Sequence, residues 1–342
     1  MSAAKPTDWN PASQDVLDDQ IAAYDAMRIR CPVAHSDYLW WSLFRHADVM
    51  RVLQDHETFS NASSNHLSIP NAMDAPEHTG FRNIIEPYFA PEHMTAFEPV
   101  CQAVAEALVS DLPRGEDFEL MEGFAQPFAL RIQCSFMGWP ASLHEPLRQW
   151  IGENHSATRA RDRSAMARIA VEFDGHIKQQ LALRRDADDQ APDDVTNRLL
   201  HERIHGRPLS DEEIVSIVRN WTVGELGTIA ASIGILVHYL ATHSELQARL
   251  RQHPDQLPAA IDEILRLHAP LIANRRVTTC PVDIGGRKID AGERLTLIWA
   301  SANRDESVFG DPDTFDPQRN SAHNLLYGAG VHVCPGAPLA RL

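Results

Sequence analysis

Ser210 and Glu213 stand three apart, immediately before an apolar stretch that runs to about Thr242. This spacing reads as a capping box, in which each residue satisfies a backbone donor of the other. The helix it opens rises about 1.5 Å per residue and is long enough to cross a whole domain. The rest of the chain must therefore be arranged around it. Its second half is apolar nearly all round, which predicts burial. Further helical patterns accompany it. Residues 97–109 place Phe97, Val100, Cys101, Val104, Leu108 and Val109 on one face. Ser244 and Gln247 predict a second cap, with Pro254 ending that helix. Leu257–Leu267 reads as a helix that stops before Pro270. Strand signals are sparse: Tyr38–Phe44, the stretch from Val282 to Ile289 folded as a hairpin around Gly285-Gly286, and Arg294–Trp299. The acidic segment Arg185–Asp194 reads as a surface loop. No internal repeat is present. The expectation is a single domain over residues 1–342, mainly α with a small β part.

Composition removes several function classes. The chain has 342 residues, 44% of them hydrophobic, and carries 31 Lys and Arg against 47 Asp and Glu, a net charge of −16. Nucleic acid and anionic membranes need basic surface, so neither is an expected partner. The N-terminus, Met1-Ser-Ala-Ala-Lys-Pro-Thr-Asp, has no apolar core and does not read as a secretory signal. The run Ile229–Leu240 contains Ser232 and His238 and is too short to span a bilayer. A soluble, cytoplasmic protein is expected. The five cysteines (31, 101, 134, 280 and 334) are scattered, without a Cys-x-x-Cys pair. That pattern suits a reducing compartment, with most thiols acting as small core residues.

The last segment, Leu326-Tyr-Gly-Ala-Gly-Val-His-Val-Cys-Pro-Gly-Ala-Pro-Leu-Ala-Arg-Leu342, is the most informative. Gly328, Gly330 and Gly336 allow close approach of backbone to a flat ligand. Pro335 and Pro338 suit the first turn of a helix, which would place Cys334 at a helix N-terminus. Unpaired amides and the positive dipole end there favour a thiolate. Alternatively, Cys334 is a small residue filling a tight turn.

This segment resembles the heme-binding loop of the cytochrome P-450 superfamily, Phe-x-x-Gly-x-x-x-Cys-x-Gly, with Tyr327 in the first position. It also shares the His two before the Cys of bacterial members. The resemblance implies the fold of that family, with Cys334 as axial thiolate of heme b (iron protoporphyrin IX), which favours O–O cleavage. It extends upstream. Glu263-Ile-Leu-Arg266 matches Glu-x-x-Arg, and Arg319 in Phe315-Asp-Pro-Gln-Arg supplies the family's third, structural member. His78 and Arg82, Arg276, and His332 match positions that hold the heme propionates. Cys31 is structural.

There are two departures. The long helix of the family carries Gly-x-Asp/Glu-Thr-Thr, whereas this chain reads Val223-Gly-Glu-Leu-Gly-Thr228. Glu225 and Thr228, three apart, share a face and are expected to replace the usual acid–alcohol proton relay; alternatively, water or substrate delivers the proton. Gly227 leaves room for dioxygen. In addition, Leu342 lies eight residues beyond Cys334, whereas family members continue through a helix and a C-terminal hairpin. The chain is expected to lack these and to load heme weakly. The implied activity is a bacterial monooxygenase inserting one oxygen atom of dioxygen into a small, largely apolar substrate by hydroxylation or O-dealkylation. No dinucleotide fingerprint or cysteine cluster is visible, so electrons from NAD(P)H are expected through a separate ferredoxin and ferredoxin reductase, delivered to a monomer. A peroxide-driven peroxygenase and an inactive heme- or ligand-binding remnant are the alternatives. The loop 61–75 and residues 271–274 would border the substrate: Leu67, Ile69, Met73, Leu271 and Ile272 for an apolar body, His66 and Asn274 for a polar end.

Overall fold

The structure is a computed structural model that describes residues 7–63 and 66–342. Met1–Pro6, at the terminus read as signal-free, and Ser64 and Asn65 of the 61–75 loop lie outside the described residues. The chain divides into two compact units. One comprises Met1–His66, Asn71–Ala75 and Ile235–Cys334; the other comprises Leu67–Pro70, Pro76–Gly234 and Pro335–Leu342.

The first unit is built on a five-stranded sheet. Its order is Val33–Ser36, Trp40–Leu43, Arg294–Ile298, Ala273–Thr278 and Phe59–Ser60. Trp40–Leu43 pairs parallel to Arg294–Ile298, with Trp41 opposite Leu295, and the other neighbours are antiparallel. Leu43, Leu295 and Leu297 are fully buried in one cluster with Val33, Val49, Trp299 and Leu325. The expected hairpin is present as Val282–Ile284 and Arg287–Ile289. Gly285 and Gly286 both have positive φ, 59° and 78°, which is what a two-residue turn between right-twisted strands requires. The reading missed Val33–Ser36 as a strand. It also missed the strand character of Ala273–Thr278, because Asn274-Arg275-Arg276 carries no alternating apolar pattern and only pairing to the buried Arg294–Ile298 strand makes it one.

The second unit is helical: Glu77–Ile85, Pro91–Ser110, Gln126–Met137, His144–Ala160, Arg163–Ala187 and Val195–His201, with the first part of Asp211–Thr242. In Pro91–Ser110 the buried positions are Met94, Cys101 and Leu108. Val100 and Val109, expected on the core face, are exposed, since they flank that narrower stripe. Trp221 of the long helix packs its ring 5.5 Å from both Tyr88 and Phe89 and 6.2 Å from Phe136, centroid to centroid. Ser216 and Asn220, one turn apart, hold the backbone of Ile69: its N–H donates to Ser216 Oγ at 2.9 Å and its carbonyl accepts from Asn220 Nδ2 at 2.9 Å.

The capping box forms as expected. Ser210 N–H donates to Glu213 Oε2 at 2.8 Å, and Glu213 N–H donates to Ser210 Oγ at 3.2 Å. The helix behind it, Asp211–Thr242, is by length and composition long and apolar enough to cross a membrane, with a mean hydropathy of 1.5 over its most apolar 18-residue window. Counting Ile229–Leu240 alone understated this, because the apolar face continues upstream of that run. The burial expected of its second half is not found: Ile233, Ile235 and Leu236 are half-buried and Val237 is exposed. Ile235, Leu236 and Leu240 pack along one side, on Tyr239, Ile264 and Leu267, and a helix apolar all round is buried only with neighbours all round. The second cap also differs: Ser244 is the first helical residue, His243 occupies the cap, and no side chain caps it.

Candidate functional site

The thiol-bearing loop is assembled from below. Glu263 and Arg266, three apart on the helix Leu257–His268, form a fully buried bidentate pair: Nε to Oε2 at 2.8 Å and Nη2 to Oε1 at 2.9 Å. Charges removed from water persist only when their remaining donors and acceptors are filled. Arg266 meets this by donating to the carbonyls of Asn303 at 2.6 Å and Pro312 at 3.1 Å. Phe309 lies over its guanidinium at 4.7 Å. Asn303 then accepts from the Leu325 N–H at 2.8 Å, so the ion pair is bonded through Asn303 to the start of the loop.

The sequence assigned the third place beside this pair to Arg319, and the structure overturns that. Asn320, not Arg319, reaches Glu263: Nδ2 donates to Oε1 at 2.7 Å, and the Asp316 N–H adds a second bond at 3.0 Å. Asn320 is fully buried. Arg319 turns outward, donating to Asn320 Oδ1 at 3.1 Å and lying 3.8 Å from Asp316. Neighbouring residues on the short helix Pro317–Asn320 point about 100° apart, so only one faces the buried carboxylate. The Asp316 cap on the Arg319 N–H at 3.1 Å fixes which one.

From Leu325 the loop turns through Gly328 and Gly330, with φ 75° and 72°. A Cβ at Gly330 would fall 2.2 Å from the Leu53 carbonyl oxygen, so glycine is required by close approach as well as by φ. The Cys334 N–H donates to the Tyr327 carbonyl at 2.9 Å, closing the loop. Cys334 is exposed. The helix after it begins later than expected: Ala337–Arg341, capped by Gly336, keeps Pro338 in its first turn and leaves Pro335 outside. Burial pushes two of the other thiols up, Cys101 to about 11 and Cys134 to about 12, which marks them as inert core thiols.

Arg276 is buried on the strand Ala273–Thr278. Burial lowers its pKa to about 10, opposed by the Asp74 carboxylate. Its Nη1 donates to the Arg275 carbonyl at 2.7 Å. Asp74 is held by the Ser60 hydroxyl and by the Asn61 N–H at 2.8 Å. His332 is half-buried in the turn Gly330–His332.

In the helical unit, His78 and Arg82 are both buried on Glu77–Ile85, four apart and on one face. Arg82 already has a carboxylate partner, Glu86, at 2.7 Å; the i, i+4 spacing could have shown this. Glu225 and Thr228 stand on the long helix. Glu225 Oε2 is buried without a hydrogen-bond partner among the described residues, and burial raises its pKa to about 8. The Thr228 hydroxyl donates to the backbone carbonyls of Gly224 and Glu225 and not to the Glu225 carboxyl. A Cβ at Gly224 or Gly227 would meet nothing within 4 Å, so the packing of the unit does not itself require glycine there.

The expected substrate-facing residues divide. Leu67, Leu271 and His66 are exposed and Met73 is half-buried. Ile69 is fully buried and bonded to the long helix, so it is a core residue. Ile272 packs on the cluster of Trp9, Phe44 and Ile298. Asn274 Oδ1 accepts from the Arg275 N–H at 2.8 Å.

These residues fit a heme-thiolate site: an exposed thiol on a glycine loop, a buried arginine calling for an anion, and a mainly helical fold with a small sheet. The family model described as Cytochrome P450 matches residues 133–342, and the chain belongs to this family. It is 32% identical to the erythromycin C-12 hydroxylase of Saccharopolyspora erythraea over 95% of this chain and 85% of that protein. It is 29% identical to linalool 8-monooxygenase of Pseudomonas putida over 89% of this chain and 80% of that one. The solved structure of a mutant of P450 EryK in complex with erythromycin B superposes with a TM-score of 0.85 at 31% identity, covering 95% of this chain and 85% of that one. The protein is a heme b-dependent monooxygenase.

Proposed function

We propose that the chain hydroxylates or O-dealkylates a small, largely apolar compound in the cytoplasm, drawing NAD(P)H electrons through a ferredoxin and its reductase. Cys334 is the axial ligand, and His78, Arg82, Arg276 and His332 hold the propionates. The observation that carries this assignment is Arg276, a buried guanidinium with no ion-pair partner within salt-bridge distance among the described residues. An isolated buried cation is costly, and a carboxylate ligand relieves the cost through charge-assisted hydrogen bonds.

Heme supplies thiolate-assisted activation of dioxygen; the chain supplies position and protons. Arg266, Asn303 and Leu325 fix the loop that carries Cys334. Glu225, raised to about 8 by burial, stays protonated at neutral pH and can release a proton on demand. Thr228 turns its O–H into the helix, leaving its oxygen to accept a hydrogen bond. Exposed Leu67 and Leu271 support an apolar substrate, and hydroxylase and monooxygenase relatives support the reaction class.

The test is a screen of apolar ligands for the low- to high-spin shift of the iron, followed by product analysis with ferredoxin and reductase. A shift with oxygenated product supports the reading. Turnover that is faster with peroxide than with the reductase chain overturns the electron route.

A further inference from the structure

Three polar atoms of the helical unit are buried with no hydrogen-bond partner among the described residues: Gln133 Oε1, Trp221 Nε1 and Glu225 Oε2. Helix geometry puts their residues on one side. At about 100° per residue, Glu225 projects between Trp221 and Thr222, one turn further on. Gln133, on the helix Gln126–Met137, reaches the same place: its Nε2 donates to Thr222 Oγ1 at 3.1 Å. Phe136, three residues on from Gln133, contacts Trp221.

The orientation of the Gln133 amide is determined. The Thr222 hydroxyl donates its hydrogen to the Val218 carbonyl at 2.9 Å, so it can only accept from Gln133. The amide nitrogen must face Thr222, and Oε1 must face away. The three orphans are thus one N–H donor and two oxygen acceptors. Gln133 and Trp221 are buried throughout, at 1% and 6% exposure, and leaving such groups unmet is destabilising.

We propose that Trp221, Gln133 and Glu225 enclose one bound water, and that Gln133 and Trp221 thereby act as positioning residues for the Glu225 carboxyl. The water accepts from the Trp221 N–H and donates to Gln133 Oε1 and Glu225 Oε2. That gives it three bonds, the usual valence of a buried water. The catalytic consequence rests on the relay reading of Glu225; the water site does not.

The experiment is infrared spectroscopy of the heme-loaded protein, with the Glu225 carboxyl stretch identified by its loss in Glu225→Gln. Gln133→Leu and Trp221→Phe each shift this band to higher frequency, as a hydrogen bond is lost. Both also divert about tenfold more electrons to peroxide, the size expected for one hydrogen bond. An unmoved band in both variants overturns the water site; should Gln133→Leu not fold, Trp221→Phe gives the same reading. If the bands shift while Glu225→Gln leaves coupling unchanged, the site stands and the relay reading falls.

Discussion

Asn320 shows how much depends on one side chain's direction. It fills Glu263 Oε1, so Asn320→Ala leaves a buried carboxylate short of a donor and is expected to cost about 1–3 kcal/mol. Arg319→Ala, at a half-exposed side chain, is expected to change stability by less than about 0.5 kcal/mol. Urea unfolding of the two variants checks the order; equal losses would restore Arg319 to the buried cluster. Glu225 gives a pH signature. Its pKa lies at about 8, above the ordinary 4.5, so between those values the folded chain keeps a proton that the unfolded chain has released. Its contribution to stability is therefore full below 4.5 and is lost as pH rises through about 8. Glu225→Gln should flatten that slope in a series of unfolding midpoints. On the relay reading, proton delivery should hold at neutral pH and fall only as pH rises through about 8, where the folded chain loses the acid form. Arg276→Leu separates two roles. It removes a buried charge without an ion pair, so the heme-free chain should be as stable as the parent or more so. Heme affinity should nevertheless drop by about ten- to a hundredfold, read by heme titration.

At the scale of elements, local chemistry starts structures and neighbours finish them. The capping box of the long helix rests on two residues, and Ser210→Ala is expected to cost about 1 kcal/mol in thermal or chemical unfolding. Gly330 marks the point where the thiol loop crosses the Leu53 carbonyl. Gly330→Ala demands both a positive φ and a displaced carbonyl, so the expected result is a folded chain with no thiolate-type ferrous–CO spectrum. A normal spectrum would show that the loop tolerates the clash. The capping box, the Gly285-Gly286 hairpin and the helix near Leu257 were legible because each is encoded within a few residues. The strands Val33–Ser36 and Ala273–Thr278 were not, because what makes them strands is a partner far away in sequence.

For the whole molecule, the expected electron route has a direct check. With heme bound, NAD(P)H alone should not reduce the iron, whereas ferredoxin with its reductase should, as followed by the ferrous–CO difference spectrum. Reduction by NAD(P)H alone would mean that the chain carries its own electron carrier. The net charge of −16 sets a condition on that encounter: an acidic partner must approach a local basic patch. Family and cofactor were readable from the sequence by itself, because spaced glycines, a cysteine and a Glu-x-x-Arg pair are covalent facts of order and distance along the chain. Which residue completes the buried ion pair and which apolar loop residues are core were decided only by tertiary structure, as was the burial that raises the Glu225 pKa. Burial and the direction of a side chain come from packing between segments far apart in sequence, and those two properties fix hydrogen-bond partners and pKa values.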